Sequence, residues 1–408
     1  MSTVNNGYRH VTVRWVLALG VLGAGGALGC SSDDNGGGNN GTPDSGGSDA
    51  STGQDGATVP DSSSGSDATA KPDGSSDGGS DAAADARGND AEAGAVEGNV
   101  VIADQFNNRV IEVDSTGKIV WSFGDGKAAP GPTSVVAPND AERLPNGQTL
   151  ISGTGAPTGT TDFACEAREA GPCPDNRVVL VNSDGGIAWM YTDLSAPVCA
   201  RMLANGHVLI TDQGNSRVIE VAGDAGPDAA PVWQYAPTAA DGGDMLAGPN
   251  SAERTAAGTT LIADEGNGRV LEVAADGGIV WQYTVVADGG APQVAYASRL
   301  PNGNTLVTDS TDNVILEVAP DGGVAWSYTV TGDAGATGPT RAVRLANGHT
   351  LISNQTDNTV IEIDNSTPPK IIATYGRAGV IGTDGGLLNA PYDAKRVGDY
   401  TGISEPPR

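Results

Sequence analysis

The sequence predicts an all-β protein: a six-bladed β-propeller of four-stranded antiparallel blades, its ring closed by the C-terminal strand. Three observations carry this. One string recurs, as RVIEVDSTGKIVWSF (109–123), RVVLVNSDGGIAWMY (177–191), RVLEVAADGGIVWQY (269–283) and VILEVAPDGGVAWSY (314–328). The turn glycines Gly258, Gly303 and Gly348 fall 45 residues apart, and Gly147 and Gly206 precede them at intervals of 59 and 52. The longer intervals come from inserts at 154–175 and 223–231. Finally, APYDAKRV (390–397) resembles APNDAERL (137–144), and the first unit, opening at 98, lacks that piece. Periods of about 40–50 residues holding several short β-runs signal a propeller.

Each unit supplies four strand-sized runs in a fixed order. The first reads A-x-R-L and ends at Asn-Gly or a near relative, a strong hairpin signal. The second reads T-L-I-x-D. The third, R-V-I-E-V, alternates and is rich in β-branched residues. A turn such as Asp276-Gly277-Gly278 leads to the fourth, I-V-W-Q-Y. The four make one antiparallel meander. Five of the six tryptophans occupy one position of the fourth run: Trp121, Trp189, Trp233, Trp281 and Trp326. A flat side chain there is expected to wedge between neighbouring sheets, contributing a few kcal/mol per blade. The last unit carries Ala373 instead. Segment 390–397 is expected to pair into the first blade and so remove the exposed sheet edges of an open array.

A charge pattern supports the ring order. The first run carries Arg143, Arg254, Arg299, Arg344 and Arg396, but Met202 in the third unit. The third run carries Glu112, Glu220, Glu272, Glu317 and Glu362, but Leu180 in the second unit. If each Glu meets the Arg of the next blade, the two exceptions fall together and no charge is orphaned. Orphaning one side of a buried pair costs about 3–5 kcal/mol. The expected belt is Glu112–Arg143, Glu220–Arg254, Glu272–Arg299, Glu317–Arg344 and Glu362–Arg396.

The N-terminal quarter is of another kind. Arg9 and Arg14 precede an apolar run, WVLALGVLGAGGALG (15–29), too short for a membrane span. Its end, Ala27-Leu28-Gly29-Cys30, resembles a bacterial lipobox. That resemblance implies a signal peptide over 1–29 and a lipidated Cys30. Residues 30–98 form an Asp/Ser/Gly-rich tether that lacks the apolar surface to offset chain entropy. Its expected span is roughly 45 Å. The propeller is assigned to 99–404 and a tail to 405–408. The formal charge of −28 argues against nucleic acid as a partner, since phosphates need a basic face. An exported chain meets an oxidising compartment. The first choice for a disulfide is Cys165 with Cys173, within one insert, leaving Cys199 free and buried; pairing of either with Cys199 is the alternative. Three cysteines without histidines at ligand spacing predict no metal site.

DQFNNRVIEVDSTGKIVWSFG (104–124) resembles the NHL repeat, with its Asp-x-x-Asn-x-Arg-Val core. RLPNGNTLVTD and DGGIVWQY resemble repeats of arylsulfotransferase-like propellers, and DSTGKIVW (114–121) resembles the tryptophan-docking motif of quinoprotein propellers. The shared residues build blades, so they speak for fold rather than function. Asp104 and Asn107, like Asp212 and Asn215 or Asp264 and Asn267, are expected to satisfy the turn between second and third strands. The arylsulfotransferase resemblance implies a histidine nucleophile near the axis. Of the three histidines, His10 lies in the signal segment. His207 and His349 follow first-strand turns, at the end of the strand away from the usual active mouth.

What remains is a channel mouth. Asp140, Cys199, Ser251, Tyr296, Arg341 and Asp393 are expected to start the six inner strands and surround one end of the axis. Of these, Asp140, Ser251, Tyr296, Arg341 and Asp393 are the candidate ligand-binding set. The expectation is a monomeric, membrane-tethered lipoprotein of the bacterial envelope, at the outer membrane, that binds or scaffolds a protein, peptide or glycan and needs no cofactor. The alternative is an arylsulfotransferase-like enzyme moving sulfuryl groups from aryl sulfates without the axial histidine.

Overall fold

Twenty-four strands group into six four-stranded sheets in the computed structural model, which describes residues 98–156, 173–238, 245–286, 290–332 and 337–407. The sheets are the six blades. Their inner strands are Pro391–Arg396, Pro138–Arg143, Pro197–Met202, Pro249–Arg254, Val294–Arg299 and Pro339–Arg344, for blades 1 to 6. Blade 1 is completed as expected. The strand Val100–Asp104 pairs antiparallel with Pro391–Arg396, in the register Val100 to Arg396 and Ile102 to Ala394.

The second strands explain the stacking. Thr260–Asp264, Thr305–Asp309 and their counterparts are buried at every position, because each sheet is covered on both faces by its neighbours. One apolar cluster fills each junction. Between blades 2 and 3, for example, Leu150 and Val178 meet Ala200, Val208 and Ile210. Nearer the axis the blades converge and only a methyl fits. Ala141, Ala200, Ala252, Ala297, Ala342 and Ala394 hold one position in all six inner strands, and all are buried.

All five belt pairs form. Arg143 lies 2.6 Å from Glu112, Arg254 2.6 Å from Glu220, Arg299 2.5 Å from Glu272 and Arg344 3.1 Å from Glu317, and Arg396 contacts Glu362. Leu180 packs in the cluster that contains Met202, so the two exceptions do meet. The tryptophans belong to the same device. Trp121, Trp233, Trp281 and Trp326 each sit cross-strand from a belt Glu. The next blade's arginine lies over the indole, at 4.2 Å for Arg143 on Trp121 and 4.9 Å for Arg299 on Trp281. Four indoles donate to a backbone carbonyl in the next blade: Trp121 to Ser183, Trp189 to Ala225, Trp233 to Ala275 and Trp281 to Pro320. The indoles are therefore half-buried straps across blade junctions rather than fully buried wedges.

Candidate ligand-binding site

The six residues expected at the mouth do come together, but one layer below it. Each inner strand bulges within its first three residues, the extra residue in blade 1 being Tyr392, between Pro391 and Asp393. The residue after each Asp104-type position then turns over the axis. Asp140, Cys199, Ser251, Tyr296, Arg341 and Asp393 are consequently 0–1% exposed, and the solvent-facing mouth expected of them is not where they lie. They meet a second axial layer of Glu142, Arg201, Glu253 and Lys395.

These charges pair with one another. Asp140 accepts from Arg201 at 2.7 Å and from Lys395 at 2.8 Å, with Arg341 3.5 Å away. Arg201 also donates to Glu253 at 2.7 Å. Arg341 pairs with Asp393 at 3.0 Å, and Lys395 contacts Asp393. Tyr296 donates to Glu253 at 3.1 Å beneath the Arg341 guanidinium, 4.5 Å from its ring. Arg341 reaches across the axis to the Cys199 sulfur at 3.8 Å. Burial by itself would raise the Asp140 carboxyl; the charges of Arg201, Lys395 and Arg341 outweigh it and hold Asp140 well below the carboxylate range. Glu142 goes the other way. Burial pushes it up to about 8, against partial opposition from Arg201 and Lys395. Asp140 and Glu142, separated by one residue on the same strand, are thus driven in opposite directions. Burial likewise raises the Cys199 thiol and the Tyr296 hydroxyl. The axial layer is a floor of interlinked charges, and neither the Cys199 thiol nor the Tyr296 hydroxyl is activated as a nucleophile there.

The same carboxylates stitch the blades. Asp140 and Asp393 accept the backbone N–H of Ala200 and Ala141, and Ser251 accepts that of Ala297, each in the following blade. Inner strands of different blades share no ladder, so these side chains replace it.

The rim above is made of residues that the sequence reading did not single out. One residue per blade holds the place after the Asp104-type position: Gln105, Thr154, Gln213, Glu265, Ser310 and Gln355, Thr154 lying within the longer second strand Thr149–Ala156. Gln105 donates to Asn139 and receives from Gln355, both at 2.6 Å. Thr154 and Ser310 cap the carbonyls of Pro197 and Pro339. Asn250 spans the axis, donating to the Tyr392 hydroxyl at 2.7 Å and to Glu265 at 2.9 Å. Gln213 also donates to Glu265, at 3.4 Å. Among the described residues Glu265 has no cationic partner. Burial raises its carboxyl, opposed by the Asn250 hydrogen bond alone. The Asn250 side-chain oxygen is buried and takes no hydrogen bond. The signal for this rim was present: each residue directly follows the repeated T-L-I-x-D run or its variant. At Gln105, Gln213 and Glu265 the residue opens a short 3-10 turn that the repeat text does not announce.

The Asp-x-x-Asn-x-Arg motifs hold those turns, as expected. Asp104 accepts from Asn107 at 2.8 Å, Arg109 at 2.7 Å and the Asn389 N–H at 2.7 Å. Asp212 and Asp264 repeat the pattern. Blade 2 has Gly153 there, and Asp175 takes over from the third strand. It accepts the Val136 N–H at 2.7 Å and contacts Arg177, and its carboxylate oxygen lies 2.3 Å from where a Cβ on Gly153 would be.

At the opposite end, His207 and His349 reach the belt. His207 lies 2.7 Å from Glu220 and His349 2.9 Å from Glu362, the place taken in other blades by Asn99 and Asn304. They are linked to blade junctions rather than to the axis. The inner strand of blade 1 ends at Arg396, and the following residues cross this end. Asp399 accepts the Ala346 N–H, Tyr400 donates to the Arg143 carbonyl at 2.9 Å, and Ser404 donates to Glu253 at 2.8 Å. A groove of about 670 Å³ runs beside this strap, along Leu203, Arg254, Leu300 and Tyr400. Cys199 is a free, buried thiol, while Cys165 and Cys30 lie outside the described residues.

Comparison with known proteins places the chain among β-propeller repeat proteins. A family model described as outer membrane protein assembly factor BamB matches residues 174–300. No curated protein matches. Among solved structures, virginiamycin B lyase from Staphylococcus aureus is 15% identical, covering 60% of this chain and 71% of its own, with a TM-score of 0.41. A streptogramin B lyase is 14% identical, over 67% and 78% of the two chains, with a TM-score of 0.47. The periplasmic gluconolactonase of Pseudomonas aeruginosa is 14% identical, over 74% and 99%, with a TM-score of 0.46. The family model is neither the NHL nor the arylsulfotransferase-like repeat that the motifs resemble. What the comparisons and the coordinates share is the propeller of repeated blades.

Proposed function

We propose that this chain is an envelope-anchored lipoprotein whose propeller binds or scaffolds a protein, peptide or glycan at the rim formed by Gln105, Asn139, Gln213, Asn250, Glu265 and Gln355. Cys30 carries the lipid, residues 30–98 hold the propeller away from the membrane, and Ser31 and Ser32 favour the outer membrane. The BamB-model match over 174–300 supports an envelope setting. A Cys165–Cys173 disulfide suits an oxidising compartment and leaves Cys199 as the free thiol.

One observation carries the reading. The axial carboxylates Asp140 and Asp393 have cations against them below the rim, whereas at the rim Glu265 has none among the described residues and the Asn250 side-chain oxygen takes no hydrogen bond. A rigid floor beneath polar groups with open valences is how a binding face is preorganised. On this reading Asp140, Ser251, Tyr296, Arg341 and Asp393 support the ligand face from beneath.

The test is site-specific photo-crosslinking in cells. A photoreactive residue at Gln213 or Gln355 is expected to give a discrete adduct, and one at Val280 on an outer strand is not. Equal labelling from both sites, or none from the rim, would overturn the assignment of the ligand to this face.

A further inference from the structure

Within that reading, we propose that the rim receives the primary ammonium of a lysine side chain on a peptide, seated between the Glu265 carboxylate and the Asn250 amide oxygen. Three acceptors are gathered on groups already in hydrogen-bond contact. Glu265 spends one oxygen on Asn250 (2.9 Å) and Gln213 (3.4 Å), and its other oxygen takes no hydrogen bond from a described residue. The Asn250 side-chain oxygen is buried and unpartnered on a residue 1% exposed, although the amide nitrogen beside it is fully used by Glu265 and Tyr392. Gln213 donates through its nitrogen and so retains its oxygen as an acceptor. Glu265 differs from the axial carboxylates Asp140 and Asp393, each of which has cations against it. Burial lifts the Glu265 carboxyl with no cation to oppose it, and that is the electrostatic deficit a bound ammonium would cancel.

The chemistry selects the ligand class. An ammonium is a compact charge with three donors, equal in number to these acceptors, whereas a guanidinium offers five donors in a planar fork and would leave some unpaired. A sugar amine is less well served. The two aromatic rings near the rim face inward, Tyr392 being 9% exposed and Phe106 packing on Val136 and Ala137, so no flat face is offered for a sugar ring. Gln355, partly exposed and using its amide nitrogen on Gln105, keeps its side-chain oxygen for a peptide N–H.

The experiment titrates the full chain with acetyl-Gly-Lys-Gly-amide and its norleucine, arginine and ornithine counterparts, and with a glucosamine trimer, by NMR or calorimetry. The lysine peptide is expected to bind at least about tenfold more tightly than the norleucine peptide, which keeps the length and loses the charge. Glu265→Gln, nearly isosteric, is expected to abolish that preference at an unchanged melting temperature, and Glu265→Ala to do the same. The proposal falls if norleucine binds as well as lysine, if the preference survives both variants, if no lysine peptide binds, or if the arginine peptide or glucosamine trimer binds more tightly. Rim crosslinking in cells together with any of these outcomes would remove the ammonium assignment and leave the binding face standing. Absence of rim crosslinking would remove the face itself.

Discussion

Glu142 is the axial residue whose titration the physiological range reaches. Its folded-state carboxyl is raised to about 8 by burial, whereas an unfolded glutamate titrates near its ordinary value of 4.5. Between those values the folded state holds the extra proton. The contribution of Glu142 to stability is therefore full below about pH 4.5 and is lost as pH rises through about 8. Glu142→Gln is expected to flatten the fall in Tm across that window and to melt above the wild type at pH 8, by about 2 °C or more. A variant whose Tm tracks the wild type at every pH would show that Glu142 titrates normally. A second expectation concerns Gly153. A Cβ there would meet the Asp175 carboxylate at 2.3 Å. Gly153→Ala should cost about 1–3 kcal/mol by displacing Asp175 from Arg177 and the Val136 N–H, read by denaturant melts. Neither effect is visible in the repeat text. Glu142 sits in an A-x-R-L run like any other, and its surroundings include Arg201 and Met202 of blade 3 and Lys395 of blade 1. The exchange of Asp for Gly at 153 becomes meaningful once Asp175 is seen in the vacated place.

At the level of strands, the belt was legible because its evidence is correlated. Two exceptions, Leu180 and Met202, agree with only one pairing rule, and all five expected pairs form. The coupling suggests a double-mutant cycle. Arg299→Met alone should cost about 1–3 kcal/mol, because Glu272 loses its cation while the indole of Trp281 loses the guanidinium stacked on it. Glu272→Leu with Arg299→Met copies the natural Leu180–Met202 junction and should recover part of that loss. A double variant as unstable as the two single losses added together would mean that the pair is not a coupled unit. The histidines were less legible. His207 and His349 read as surface turn residues, and their position on the belt carboxylates emerges from the side-by-side packing of first-turn and third-strand residues within a blade.

For the whole molecule, closure depends on one strand from the far end of the chain. Pro391–Arg396 supplies the inner strand of blade 1, its Arg396 joins the belt at Glu362, and its Lys395 and Asp393 complete the axial floor. A chain ending at Asn389 should therefore lose the cooperative fold, shown by broad melting and rapid proteolysis. A chain ending at Val397 keeps that strand and loses only the strap through Tyr400 and Ser404. It should stay folded, with a Tm lower by several degrees. If the longer truncation melted as sharply as the full chain, the closing strand would not be structural.

The amino-acid sequence alone determined the number of blades, the partner of the closing segment and the Glu-to-next-Arg pairing. Repeats write the same local instruction many times, and a ring adds only one long-range contact to it. The tertiary structure alone decided what the axis does. Six strand starts that read as a mouth are drawn beneath it by a bulge in each inner strand, and their charged members pair with one another there. Most of these ion pairs join neighbouring blades, but Arg341 also reaches Asp140 and Cys199, and Asn250 reaches Tyr392, across the axis, and the text of a repeat does not record which side chains meet there.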